Sequence, residues 1–136
     1  YNTKINSYTT EDAQDVEFSQ KKNVIAVADA FDGIVLFEPN ENKPMSKIQL
    51  EDDICQEIKL FGQNLLIKGK NGLYHYNLDS KKLHPIWSRS VGAFTTYYDM
   101  IFFSSENKLH MMSISPTSIR NFKFKRDFDI NLAKAF

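Results

Sequence analysis

Nine residues in this chain have side chains suited to chemistry and sit in polar stretches between apolar runs: Asp29, Phe31, Asp32, Asp52, Asp53, Lys70, Asn71, Arg89 and Glu106. Carboxylates dominate, and with Glu51 they offer the oxygen ligands that Ca²⁺ takes. No Asp-x-Asp-x-Asp-Gly loop is present, however, and turns favour Asp because its side chain bonds the nearby backbone. The acidic positions therefore read as solvated turns, and no metal or cofactor is expected. Phe31, an aromatic in a polar loop, reads equally as a partner contact or as a ring folded back on its own sheet.

Catalytic constellations are missing from the pattern. His75, His84 and His110 have no metal-ligand spacing, and the lone Cys55 has no Cys partner. Gly-x-Ser-x-Gly, Ser-x-x-Lys and both glycine-rich phosphate loops are absent. Lys123, Lys125 and Arg126 make a small basic edge beside Arg120, offset by Asp127 and Asp129. Trp87 reads as core.

The elements that would carry these residues are short strands. Val24–Ala28 is a continuous apolar run, Asp32-Gly33 is a hairpin signal, and Ile34–Phe37 returns as the partner strand. Val16 and Phe18 alternate with polar residues ahead of this pair, and Met45–Leu50 follows it as an outer strand. The pattern then restarts. Ile58 and Leu60, Leu65–Ile67, Asn71-Gly72, Leu73–Leu78 and Leu83–Ser88 form a second unit. Phe94 and Thr96, Met100–Phe103, Leu109–Ile114 and Ile119–Phe124 form a third. The landmark residues Gly33, Gly72 and Lys108 recur at intervals of 39 and 36.

A period near 40 with four strands per unit predicts an all-β fold of β-propeller blades. The expected divisions are 1–10 as the outer strand of a preceding blade, 11–50, 51–90 and 91–125 as three blades, and 126–136 as the start of a further blade or a tail. Three blades do not close a ring of the usual 4–8. The chain is therefore expected to be a segment of a larger propeller, or to close by pairing with another chain.

Ala13–Ser19, Asn23–Asp29 and Gly33–Phe37 resemble the repeat of the LVIVD-repeat propellers. The second unit keeps the glycine and the return strand but has Lys68-Gly69 where Ala28-Asp29 stands, and the third lacks the loop glycine. The resemblance implies tandem blades and carries no catalytic set.

Composition narrows the partners. The 136 residues hold 17 Lys plus Arg and 17 Asp plus Glu, so net charge gives no attraction for nucleic acid or an anionic membrane. No apolar run approaches the roughly 20 residues of a membrane helix. No signal peptide, cysteine pair or Asn-x-Ser/Thr signal is visible, which leans toward a reducing interior. The preferred reading is a non-enzymatic scaffold whose partners are other protein chains and further blades. The alternatives are an extracellular or surface recognition module, and part of a propeller enzyme whose catalytic residues lie in other blades.

Overall fold

The computed structural model describes residues 7–41, 43–115 and 118–129, with side chains described up to residue 114. Among these residues, twelve strands form three antiparallel sheets, each a simple four-stranded meander. Blade 1 holds β1 (Asp15–Ser19), β2 (Val24–Ala28), β3 (Ile34–Phe37) and β4 (Pro44–Ile48). Blade 2 holds β5 (Cys55–Phe61), β6 (Asn64–Gly69), β7 (Leu73–Asn77) and β8 (Lys82–Trp87). Blade 3 holds β9 (Phe94–Tyr97), β10 (Met100–Ser105), β11 (Lys108–Ser115) and β12 (Ser118–Asp129). The all-β, blade-by-blade architecture expected from the repeat is the one present.

Some boundaries differ from the sequence reading. Cys55 opens β5 three residues before Ile58, because a bulge between Cys55 and Glu57 lets the strand pair on to Gly69. β12 runs past Phe124 to Asp129, since β11 is long enough to pair from Ser115↔Ser118 to Lys108↔Asp129. Residues 126–129, assigned from sequence to a further blade or tail, thus lie in β12. Residues 130–136, and the strand expected over 2–10 as far as residue 6, lie outside the described residues; 7–10 are irregular.

The middle strands β2, β3 and β6 are buried on both faces, which explains why they are nearly continuous in apolar residues, whereas β10 alternates buried and half-buried positions. One core joins blades 1 and 2: Ala26, Ala28, Ile34, Leu36 and Ile48 meet Ile58, Leu65 and Ile67. A second joins blades 2 and 3: Leu66 and Leu73 meet Phe94, Ile101, Phe103, Met112 and Ile114. Each fully buried Ile or Leu contributes about 1.5–3 kcal/mol, so these seams hold the blades together.

Polar groups fix how the blades sit. The Cys55 amide donates to the Ala30 carbonyl at 3.0 Å, and the Ile58 amide to the Asp15 carboxylate at 2.9 Å. On the opposite end of the sheets Lys22 pairs with Asp79 at 2.6 Å.

Among the described residues, no blade lies against the remaining face of blade 1. It carries Val27, Val35 and Phe37, buried beneath Tyr8, whose ring centroid lies 4.4 Å from that of Phe37. The Tyr8 hydroxyl donates to the carbonyls of Glu38 and Pro39. Val16 and Phe18 continue the same face along β1 and are 61% and 55% exposed. Tyr8 stands seven residues before β1, as Ile48 stands before β5 and Trp87 before β9. Ile48 and Trp87 pack into the seam that follows them, and Tyr8 takes the corresponding place on blade 1.

Candidate functional site

In a meander the second-to-third-strand hairpins and the blade-to-blade links emerge at one end. That end is formed here by residues 29–33, 49–54, 70–72, 88–93 and 106–107, and all nine residues singled out from sequence lie on it.

Two of the carboxylates hold backbone in place. Asp29 is 1% exposed; its Oδ1 accepts from the Asp12 amide at 2.6 Å and its Oδ2 from the Glu11 amide at 3.1 Å. Asp53 Oδ1 accepts from the Ile54 and Asn71 amides at 2.8 and 3.0 Å, and its Oδ2 accepts from the Tyr74 hydroxyl at 2.7 Å. Gly69 leaves the space that the Asp53 carboxylate occupies, since a Cβ there would overlap it. In blade 3, Ser104 Oγ accepts from the Ala93 amide at 3.0 Å. One task, tying the incoming link to the hairpin, is thus performed from the hairpin by Asp29 and Ser104 and from the link by Asp53. Burial, then the hydrogen bond to Asp53, then the charge of Asp53 raise the Tyr74 phenol pKa, so it remains a donor.

Asn71, Arg89 and Glu106 come together in a cleft of about 560 Å³ between blades 2 and 3. The Arg89 guanidinium lies over the Trp87 ring, 4.6 Å from its centroid, and its Nη1 is 2.6 Å from Glu106 Oε2. Trp87 is itself fixed: its Nε1 donates to Ser105 Oγ at 2.9 Å, and the Ser105 hydroxyl donates to the Ser90 carbonyl at 2.7 Å. The His110 ring lies 4.4 Å from that of Trp87. Lys68 Nζ donates to the carbonyl of Gly92, another lining residue, at 2.9 Å.

The other candidates stand apart. Phe31 is 73% exposed on blade 1, where its carbonyl accepts from the Gln49 side-chain Nε2. Asp32 pairs with Lys47 at 3.3 Å. Asp52 is exposed at a left-handed turn position, φ 53°, and Lys70 is exposed, its amide donating to the Ile54 carbonyl. Sequence reasoning left out Trp87, Ser105 and Lys68 as members of this end. The Trp87 indole and the nearby Arg89 are two residues apart, which was the one available signal.

Among the described residues, no three His, Cys, Asp or Glu side chains gather as a metal cage. His75 is fully buried on the face of blade 2 that meets blade 3, its Nε2 2.7 Å from the Asn64 Oδ1 acceptor. Burial, then the neighbouring His84, lower its pKa from 6.5 to about 4. Cys55 is buried too; desolvation, then Asp15, Asp53 and Asp29, push its thiol up to about 12.

No family model and no curated protein matches the chain. Solved structures do. The chain is similar to the computationally designed Ika4 protein, with a TM-score of 0.73 at 10% identity over 95% of this chain and 82% of that one. It is also similar to the designed Ika8 protein (TM-score 0.71, 10% identity, 91% of this chain and 40% of that one). Kluyveromyces lactis Hsv2, a propeller, gives a TM-score of 0.58 at 12% identity over 87% of this chain and 37% of its own. The chain therefore spans about two fifths of Ika8 and of Hsv2. Such identities speak to architecture alone, and the architecture they share with this chain is that of successive propeller-type blades.

Proposed function

We propose that this chain is a non-enzymatic β-propeller segment serving as a protein–protein interaction scaffold, completed along blade 1 by a further sheet from the same protein or from another chain. The observation that carries the reading is the open flank of blade 1. Val16 and Phe18, 61% and 55% exposed, extend an apolar face on which Val27, Val35 and Phe37 are already buried. Blades bury such faces against their neighbours, and an apolar face left in water favours association. Tyr8, at the place that Ile48 and Trp87 take in the other two seams, supports a covering sheet at this flank. Asp29, Asp53 and Ser104 support the non-enzymatic part, since each shapes a loop through backbone hydrogen bonds. Zero net charge favours protein over nucleic acid or membrane as partner. The reading also extends the resemblance to the LVIVD-repeat propellers.

Hydroxyl-radical footprinting of the protein purified from its own cells tests this. Phe18 and Val16 should be protected relative to the isolated 136-residue chain, and a Val16→Asp/Phe18→Asp variant should lose a partner of fixed stoichiometry or the fold of the larger chain. Equal reactivity of both residues in the two samples would overturn the proposal.

A further inference from the structure

We infer that the cleft between blades 2 and 3 binds an acidic peptide segment, whose carboxylate takes the place that Glu106 now holds on Arg89. The inference rests on the scaffold reading and names a partner chemistry for one part of it.

Glu106 is the first clue. The β10–β11 turn has two residues, Glu106 and Asn107, with φ of 53° and 62°. A two-residue turn of this kind favours Asn-Gly or Asp-Gly, and a glutamate in its first place carries a Cβ where the backbone disfavours one. The corresponding hairpins of blades 1 and 2 include Gly33 and Gly72. Glutamate breaks the local rule here, and what it provides is a carboxylate 2.6 Å from Arg89.

Arg89 is the second. Its guanidinium carbon lies 4.6 Å from the centre of the Trp87 ring, which is in turn fixed by Ser105 and His110. A planar cation fixed in advance loses little freedom when it receives a carboxylate. Its present partner is easily displaced, because the Arg89 and Glu106 side chains are 54% and 57% exposed and an ion pair in water is weak. Lys68 bonds the Gly92 carbonyl at the cleft, and Lys70 and Lys108 are chain neighbours of its lining residues Asn71 and Asn107, while the Asp53 carboxylate nearby is already taken up by the Asn71 backbone amide and the Tyr74 hydroxyl. Ser88, Ser90 and the Asn71 side-chain amide line the cleft, with groups that an extended backbone can hydrogen-bond. The volume, about 560 Å³, falls within the range of ligand sites.

Trp87 is the only tryptophan of the chain, so its emission reports on the cleft directly. The probe is an acetylated and amidated peptide of alternating Glu and Gly, compared with its Gln and Lys counterparts and with free glutamate. Circular dichroism and urea midpoints confirm that each variant is folded. The Glu peptide should give a saturable change in Trp87 emission that weakens about tenfold or more between low and high salt. Arg89→Gln should weaken it about tenfold, and Lys68→Gln should weaken it less. Glu106→Gly, which suits the turn and releases Arg89, should tighten binding. Equal binding of the Gln peptide, an unchanged affinity in folded Arg89→Gln, or free glutamate binding as well as the peptide would each overturn the inference, as would the absence of saturable binding by both fluorescence and calorimetry. These readouts lie at blades 2 and 3, so their failure leaves the test of the blade 1 flank standing.

Discussion

Acidification should unlock the seam between blades 2 and 3 through His75. The imidazole is fully buried and donates from Nε2 to Asn64, so the folded protein holds it neutral, with its pKa lowered from 6.5 to about 4. As pH falls through 6.5 the unfolded chain takes up a proton at this position and the folded chain does not. Stability is therefore fully present above about pH 6.5 and is lost as pH falls toward 4. A difference of about 2.5 pH units corresponds to about 3 kcal/mol in total, of which about 2 kcal/mol is lost between pH 7 and pH 5. Such a loss is a large part of the stability of a small domain. Urea unfolding from pH 7.5 to 4.5 measures it, with His75→Gln as the reference chain, because every other titrating group is common to both. The wild type should lose about 2 kcal/mol more than His75→Gln between pH 7 and 5. Parallel curves for the two chains would refute the reasoning.

Three further outcomes follow from the geometry. Gly33→Ala should cost about 2–4 kcal/mol, because φ is +77° and a Cβ would run into the Ile48 carbonyl; Gly62→Ala, at φ +61° in open space, should cost only about 1 kcal/mol, and equal midpoint shifts would contradict the packing argument. Asp53→Ala should cost about 2 kcal/mol in urea unfolding, mostly from the half-buried Tyr74 hydroxyl, since the exposed Asn71 amide can turn to water. Cys55, fully buried and held protonated, should react with a thiol-specific disulfide reagent at pH 8 only as fast as the chain opens, and rapid labelling of the folded protein would count against its placement in the first seam.

The strand order was legible because period-2 and all-apolar runs survive in every unit, and Val24–Ala28 and Ile34–Phe37 appear with the bounds the residues suggest. The end of β12 was not legible, because its reach is set by the length of its partner β11 and not by its own composition. At the loop end, residue type indicated the region but not the roles. Asp29, Asp53 and Asp52 look alike in sequence, yet burial against opposite amides separates the first two from the exposed third. Trp87 reads as core from sequence and does pack into the second seam, but its indole also supports Arg89, a contact at which the two-residue spacing only hints. The Cys55 bulge hides a further contact, the hydrogen bond from its amide to Ala30.

The seven-residue step from Ile48 to Cys55 and from Trp87 to Phe94 has a consequence for how such chains can diverge. Within the blades the second hairpin is free to shrink, from 29–33 to 70–72 to 106–107. The links 49–54 and 88–93 keep one length, because each must deliver the last residue of an outer strand to the next seam while starting the next inner strand in register. Insertions and deletions are thus tolerated at hairpin tips and rejected in the links, where a single added residue would turn the following strand's apolar side chains to the wrong face.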